Sequence, residues 1–94
     1  GARAIGTDGN IFELTGTNAV TLISNVGWQN GSIIYLVFTT TATLTDGTAN
    51  SGTDIGMELL GNTNFVGSAD DVVVLVLSDL GGTQRWRMVS SSVN

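Results

Sequence analysis

The chain has 94 residues, enough for one domain and too few for two independent cores. Charged residues make up 12% of it, about half the ~25% of an ordinary soluble domain. There is no Lys, His, Cys or Pro, and 3 Arg stand against 8 acids for a formal net charge of −5. That balance disfavours a nucleic-acid backbone or an anionic membrane as partner. Without Cys there are no disulfides, zinc thiolates or thiol nucleophiles, and no redox address. Without His the commonest general base and transition-metal ligand are gone. No apolar stretch approaches the ~18 residues that read as a membrane span. Gly1-Ala2-Arg3-Ala4 lacks the apolar centre of a signal peptide and reads as a cut from a longer chain.

Strand periodicity runs throughout, broken every eight to twelve residues by Gly or Asx-Gly, the pattern of an all-β sandwich or barrel. In chain order the pattern predicts strands at Ala4–Ile5, Ile11–Leu14, Val20–Ile23 and Ser32–Thr39, then Thr43–Thr45, Gly56–Leu60, Asp71–Ser78 and Arg85–Ser90. Asp8-Gly9, Gly16-Thr17-Asn18, Asn30-Gly31, Asp46-Gly47, Gly61-Asn62 and Gly81-Gly82 mark the turns. Asp46-Gly47 and Gly81-Gly82 suit two-residue hairpins. Gly47–Asp54 holds nothing apolar larger than Ala and reads as a solvated loop. Thr is abundant, which favours pleated surface, and no segment carries a helical stripe.

Two stretches, Ile33–Phe38 and Val72–Leu77, are each six apolar residues long without a gap. A strand of a two-layer antiparallel sandwich alternates, because one face meets water. An uncharged, Pro-free strand apolar on both faces is an aggregation hazard unless its outer face is covered. Overlying loops are one possible cover. A chain this small has too little material for a third layer, so the favoured cover is a neighbouring copy. Self-association would also supply stability that disulfides and structural zinc supply in other small domains.

Gly9-Asn10-Ile11-Phe12-Glu13-Leu14-Thr15-Gly16-Thr17 is similar to an N-x-F-x-[IL]-T-G-T start, and Gly27–Phe38 to a G-x-x-x-G-x-x-[IV]-x-L-x-F strand. Thr43-Leu44-Thr45 precedes a loop, and Met57–Asn64 resembles L-x-L-x-G-x-x-N. Asp71–Val76 resembles a G-D-x-x-x-L strand, and Arg85–Ser91 a W-x-x-[VL]-S ending. The Gly of the G-D turn is absent, since the chain reads Ala69-Asp70-Asp71, and the loop Gly47–Asp54 is longer than usual. In this order, over some eighty residues, these motifs resemble a C-terminal β-structured module of bacteriophage tail spikes and tail fibres, and the resemblance implies a homotrimeric virion component, acting outside the cell at the distal end of a tail appendage. Its role there would be trimer assembly, shaft capping and host-receptor contact.

Candidate chemistry is sparse. Acid–base catalysis without His needs carboxylates of divergent pKa across a cleft. Asp8, Glu13, Asp46, Asp54, Glu58, Asp70, Asp71 and Asp79 show no such pairing, and no Ser or Thr has a His or Lys to activate it. The chain therefore reads as non-enzymatic, with no cofactor. Asp46, Thr48, Asn50, Asp54 and Glu58 put five oxygen-bearing side chains on or beside one loop, but not at EF-hand spacing, so no metal site is assigned. Carbohydrate binding, to a bacterial cell-surface polysaccharide, is the alternative function. It would use Trp28 as an exposed ring beside Gln29 and Asn30, with a hydrophobic plug as the competing role for Trp28. Tyr35, Val37, Val73, Leu75, Leu77, Arg85, Trp86 and Arg87 are the candidate interface residues. Arg85 and Arg87 are expected to pair with acids of the same or a neighbouring subunit, a subunit-crossing pair such as Arg87 with Asp79 or Asp71 fitting a trimer. The whole is expected to be a single antiparallel jelly-roll-like sandwich of about eight strands over residues 1–94, assembled as a homotrimer.

Overall fold

In a computed structural model, residues 2–3 and 10–92 are described. Nine β-strands account for nearly all the regular structure: β1 Ala2–Arg3, β2 Ile11–Leu14, β3 Leu22–Ser24, β4 Ile33–Phe38, β5 Ala42–Leu44, β6 Asp54–Glu58, β7 Phe65–Gly67, β8 Val72–Ser78 and β9 Arg85–Ser92. One short 3-10 turn, Leu60–Asn62, separates β6 from β7. The protein is all-β, and the expected strands from Ile11 onward are found within two residues at most ends. The expected strand Ala4–Ile5 and the Asp8-Gly9 turn lie outside the described residues.

Seven strands form one curled sheet in the order β1-β3-β6-β9-β8-β4-β2, and β5 pairs with β7 as a second layer. The sheet is mixed, which corrects the expected antiparallel arrangement. β1 with β3, β6 with β9 and β2 with β4 run parallel, while the remaining pairs in this sheet are antiparallel. Parallel neighbours require a crossover between them. Here β3 intervenes in sequence between β2 and β4, and β7 and β8 between β6 and β9.

Two turn expectations also change. Asp46-Gly47 is no two-residue hairpin, because β5 turns away to β7 and the Gly47 N–H donates instead to Met57 O at 2.8 Å. Gly81-Gly82 does lie in the β8–β9 hairpin, but the first registered pair is Ser78 with Arg85, so the loop is six residues long. Both glycines take positive φ, 91° and 92°.

The core follows from the period-2 alternation of β4 and β8. Ile34, Leu36 and Phe38 on β4, and Val73, Leu75 and Leu77 on β8, point inward and are fully buried or nearly so. Ile23, Ile55, Met57, Trp86 and Met88 extend that layer across β3, β6 and β9. The β5–β7 layer closes it from the other side with Ala42 and Leu44. Phe65 meets Phe38 edge-on, ring centres 5.7 Å apart. Gly67 lies directly on the Phe38 ring, where a Cβ would come within 2.5 Å of two ring carbons.

The loop 47–53 is not simply solvated. It folds back onto the outer side of β6, so close that a Cβ on Gly56 would stand 1.9 Å from Thr48 O. Asn50 fastens it there. Its Oδ1 accepts from Gly56 N–H at 2.7 Å and from Arg85 Nη1 at 2.5 Å, and its Nδ2 donates to Gln84 O at 2.9 Å.

Candidate functional site: an uncovered apolar sheet face

The opposite side of β4 and β8 carries the most distinctive surface of the molecule. Register pairs Ile33 with Val76, Tyr35 with Val74, and Val37 with Val72, which places six apolar side chains in three cross-strand rows. Ile33 and Tyr35 are 46% and 37% exposed, and Val37, Val72, Val74 and Val76 are half-buried. Ile11 on β2, in register with Tyr35, widens the face on one flank and is 67% exposed.

A β-bulge widens the other flank. Between Val74 and Leu75 the register with β9 slips, so that Val74 opposes Ser90 while Leu75 opposes Met88. Val89 is the extra residue and is 54% exposed. The rim is polar: Glu13 beside Val37, Ser92 beside Val72, Ser90 beside Val74, and Arg87 beside Val76. An apolar centre with a polar rim is the anatomy of a protein–protein interface. Contiguous apolar patches larger than a few hundred Å² are rare on monomeric proteins and mark interaction sites.

The residues picked out from sequence divide between the two faces. Tyr35 and Val37 lie on this outward face. Val73, Leu75, Leu77 and Trp86 do not, because they are wholly buried inside their own chain and have no surface to offer a partner. Their outward counterparts on β8 are Val72, Val74 and Val76.

Arg85 and Arg87 are also on the outer side of β9, yet both turn to Glu58. Parallel pairing sets Glu58 beside Arg87, and Arg87 Nη1 donates to Glu58 Oε2 while its Nη2 donates to Leu80 O at 2.6 Å. Arg85 Nε stands 3.9 Å from Glu58 Oε1. Of the two expected kinds of partner, an acid of the same subunit is the one found here, Glu58. Asp71 is buried and its Oδ2 accepts the Ser68 N–H at 2.8 Å, fixing the turn into β8.

Trp28 is not an exposed ring. It is half-buried, lying edge-to-face against Phe12 (5.9 Å between centres) and Trp86 (6.4 Å), and it packs on the core as a plug between β2 and β9. Its Nε1 is buried without a hydrogen-bond partner among the described residues. Gln29 and Asn30 remain exposed beside it. Asn30 Oδ1 accepts from Gln84 Nε2 at 2.8 Å, and Gln84 Oε1 accepts from Asn25 Nδ2 at 2.8 Å, so these three amides tie loops together.

Among the described residues no three acidic, His or Cys side chains converge as a metal-ligand group. The oxygens of the acidic loop have other tasks. Asp46 Oδ1 accepts the Leu59 N–H at 2.8 Å, and Asn50 Oδ1 is occupied as above. No helix of the described residues is long and apolar enough to cross a membrane.

Comparison with family models, curated proteins and solved structures finds no match to this chain.

Proposed function

We propose that this chain is a structural, non-enzymatic module that associates as a homotrimer through the outward face of β2, β4, β8 and β9. We further read it as the distal module of a bacteriophage tail spike or fibre, a jelly-roll-like sandwich that caps the shaft and acts outside the cell. The observation carrying this reading is the three-row apolar face, Ile33/Val76, Tyr35/Val74 and Val37/Val72, extended by Ile11 and Val89. A chain with 12% charged residues and no Lys has only Glu13 and Arg87 at the rim, and no charge among the three rows themselves, to keep such a surface dispersed. Sister copies cover it without any other partner.

A second observation supports the family reading. Asp70 takes φ 74°, the left-handed region that suits glycine, at the position where the tail-module pattern carries the Gly of its G-D turn. The backbone there has the conformation that the pattern's glycine would supply.

The test is Val74→Arg, which puts a charge at the centre of the face without touching the core. Light scattering after size exclusion is expected to give three chain masses for the unaltered protein and one for the variant. Circular dichroism is expected to be the same for both. A variant that keeps the unaltered protein's mass and fold would overturn the assignment of this face.

A further inference from the structure

Asn30-Gly31 is the only Asn-Gly pair in the sequence, and both residues are exposed. In such a pair the deprotonated glycine nitrogen attacks the asparagine Cγ. A C–N bond forms, the bond to the side-chain nitrogen breaks, and ammonia leaves, giving a cyclic imide. Water then opens either carbonyl of the ring to leave aspartate or isoaspartate. The net change is water in and ammonia out, with no oxidant or reductant.

Here the attacking nitrogen is not free. The Gly31 N–H donates to Leu77 O at 2.6 Å, and the Leu77 N–H donates to Ser32 O at 2.9 Å, a rung that lies just beyond Ile33–Val76, the last registered pair of the antiparallel β4–β8 ladder. Leu77 is wholly buried and cannot move aside without opening the core. The side chain of Asn30 is held as well, through Gln84. A hydrogen-bonded amide loses its proton only when the bond opens, and local opening free energies range from near zero at frayed ends to the full stability in the core.

We propose that Asn30–Gly31 is a self-modification site gated by the Gly31–Leu77 rung, so that deamidation records opening of the β4–β8 ladder. The product matters to the fold. Asn30 lines the same shallow depression as Asp79 and Leu80, so aspartate there adds a negative charge near an existing one. Isoaspartate goes further, since its extra backbone methylene takes Gly31 and Ser32 out of register with Leu77.

The experiment incubates the intact protein at mildly alkaline pH, in buffer and in concentrated urea, and follows the Asn30 peptide by mass spectrometry with isoaspartate mapping. Rapid conversion is expected in urea, and conversion at least about tenfold slower in buffer, as a closed rung requires. Gly31→Ala, measured in urea where folding is irrelevant, is expected to slow the reaction. Hydrogen exchange of the Gly31 amide in the folded protein is expected to be slow. Equal rates in buffer and urea, or a fast-exchanging Gly31 amide, would overturn the gate. Absence of reaction at Asn30 in urea would overturn the site itself.

Discussion

Trp86→Ala is expected to lower stability by about 3–5 kcal/mol, the range for removing a large aromatic side chain from a core. Small domains hold only ~5–15 kcal/mol in total, so the variant is expected to be largely unfolded at moderate temperature. The reasons are local and additive in direction. Trp86 is wholly buried, flanked in register by Met57 on one side and Leu77 on the other. Its ring backs Trp28, so truncation also removes the support of the plug. Its Nε1 donates to Ile23 O at 3.1 Å, tying β9 to β3 across β6. Trp86→Phe separates the last effect from the others. It keeps most of the apolar volume but leaves the Ile23 carbonyl without that donor, at a cost of about 1–3 kcal/mol. Urea denaturation checks both, with midpoints falling in the order unaltered, Phe, Ala. An Ala variant with an unchanged midpoint would contradict the packing described.

Gly56→Ala is the second large effect, and it is a steric one. The added methyl would stand 1.9 Å from Thr48 O, a backbone atom that no side-chain rotation can clear. Either β6 or the loop 47–53 must give way. The loop is the softer element, but lifting it removes Asn50 from Gly56 N–H, Gln84 O and Arg85 Nη1 together. Overpacking of this kind costs typically 1–3 kcal/mol, and the lost hydrogen bonds add about 1 kcal/mol each. Thermal unfolding is expected to drop by several degrees, and the loop to become protease-sensitive. A variant as stable as the parent, with the loop still protected, would show that the loop does not lie on β6.

How far the sequence is legible depends on whether a feature is local. The runs Ile33–Phe38 and Val72–Leu77 read plainly as strands, because β-branched residues dominate and turn residues bound them. Their inward set does not read at all. Alternation distinguishes faces only when one face is polar, and here both are apolar, so Val73, Leu75 and Leu77 are as plausible outside as Val72, Val74 and Val76. β7 is only three residues and holds together by pairing with β5, twenty residues earlier, so nothing local announces it. The parallel β6–β9 pairing is equally silent, and with it the contact between Arg87 and Glu58.

Trp28 shows both halves of the problem. Gly27 and the Asn30-Gly31 turn place it correctly outside a strand. The direction of its ring is set by Phe12 and Trp86, which are distant in sequence. Asp70 is the converse case, a non-glycine residue in a backbone conformation its own identity does not advertise. The bulge that exposes Val89 has no sequence mark either, since Met88-Val89-Ser90 fits an unbroken strand.

On the proposed reading, the face bearing Tyr35 and Val74 is covered in solution by other copies of the chain. Sedimentation equilibrium of the unaltered protein at low micromolar concentration addresses it without any substitution. Three times the 9.7 kDa chain mass is the expected result. A folded species sedimenting at a single chain mass throughout that range would contradict it.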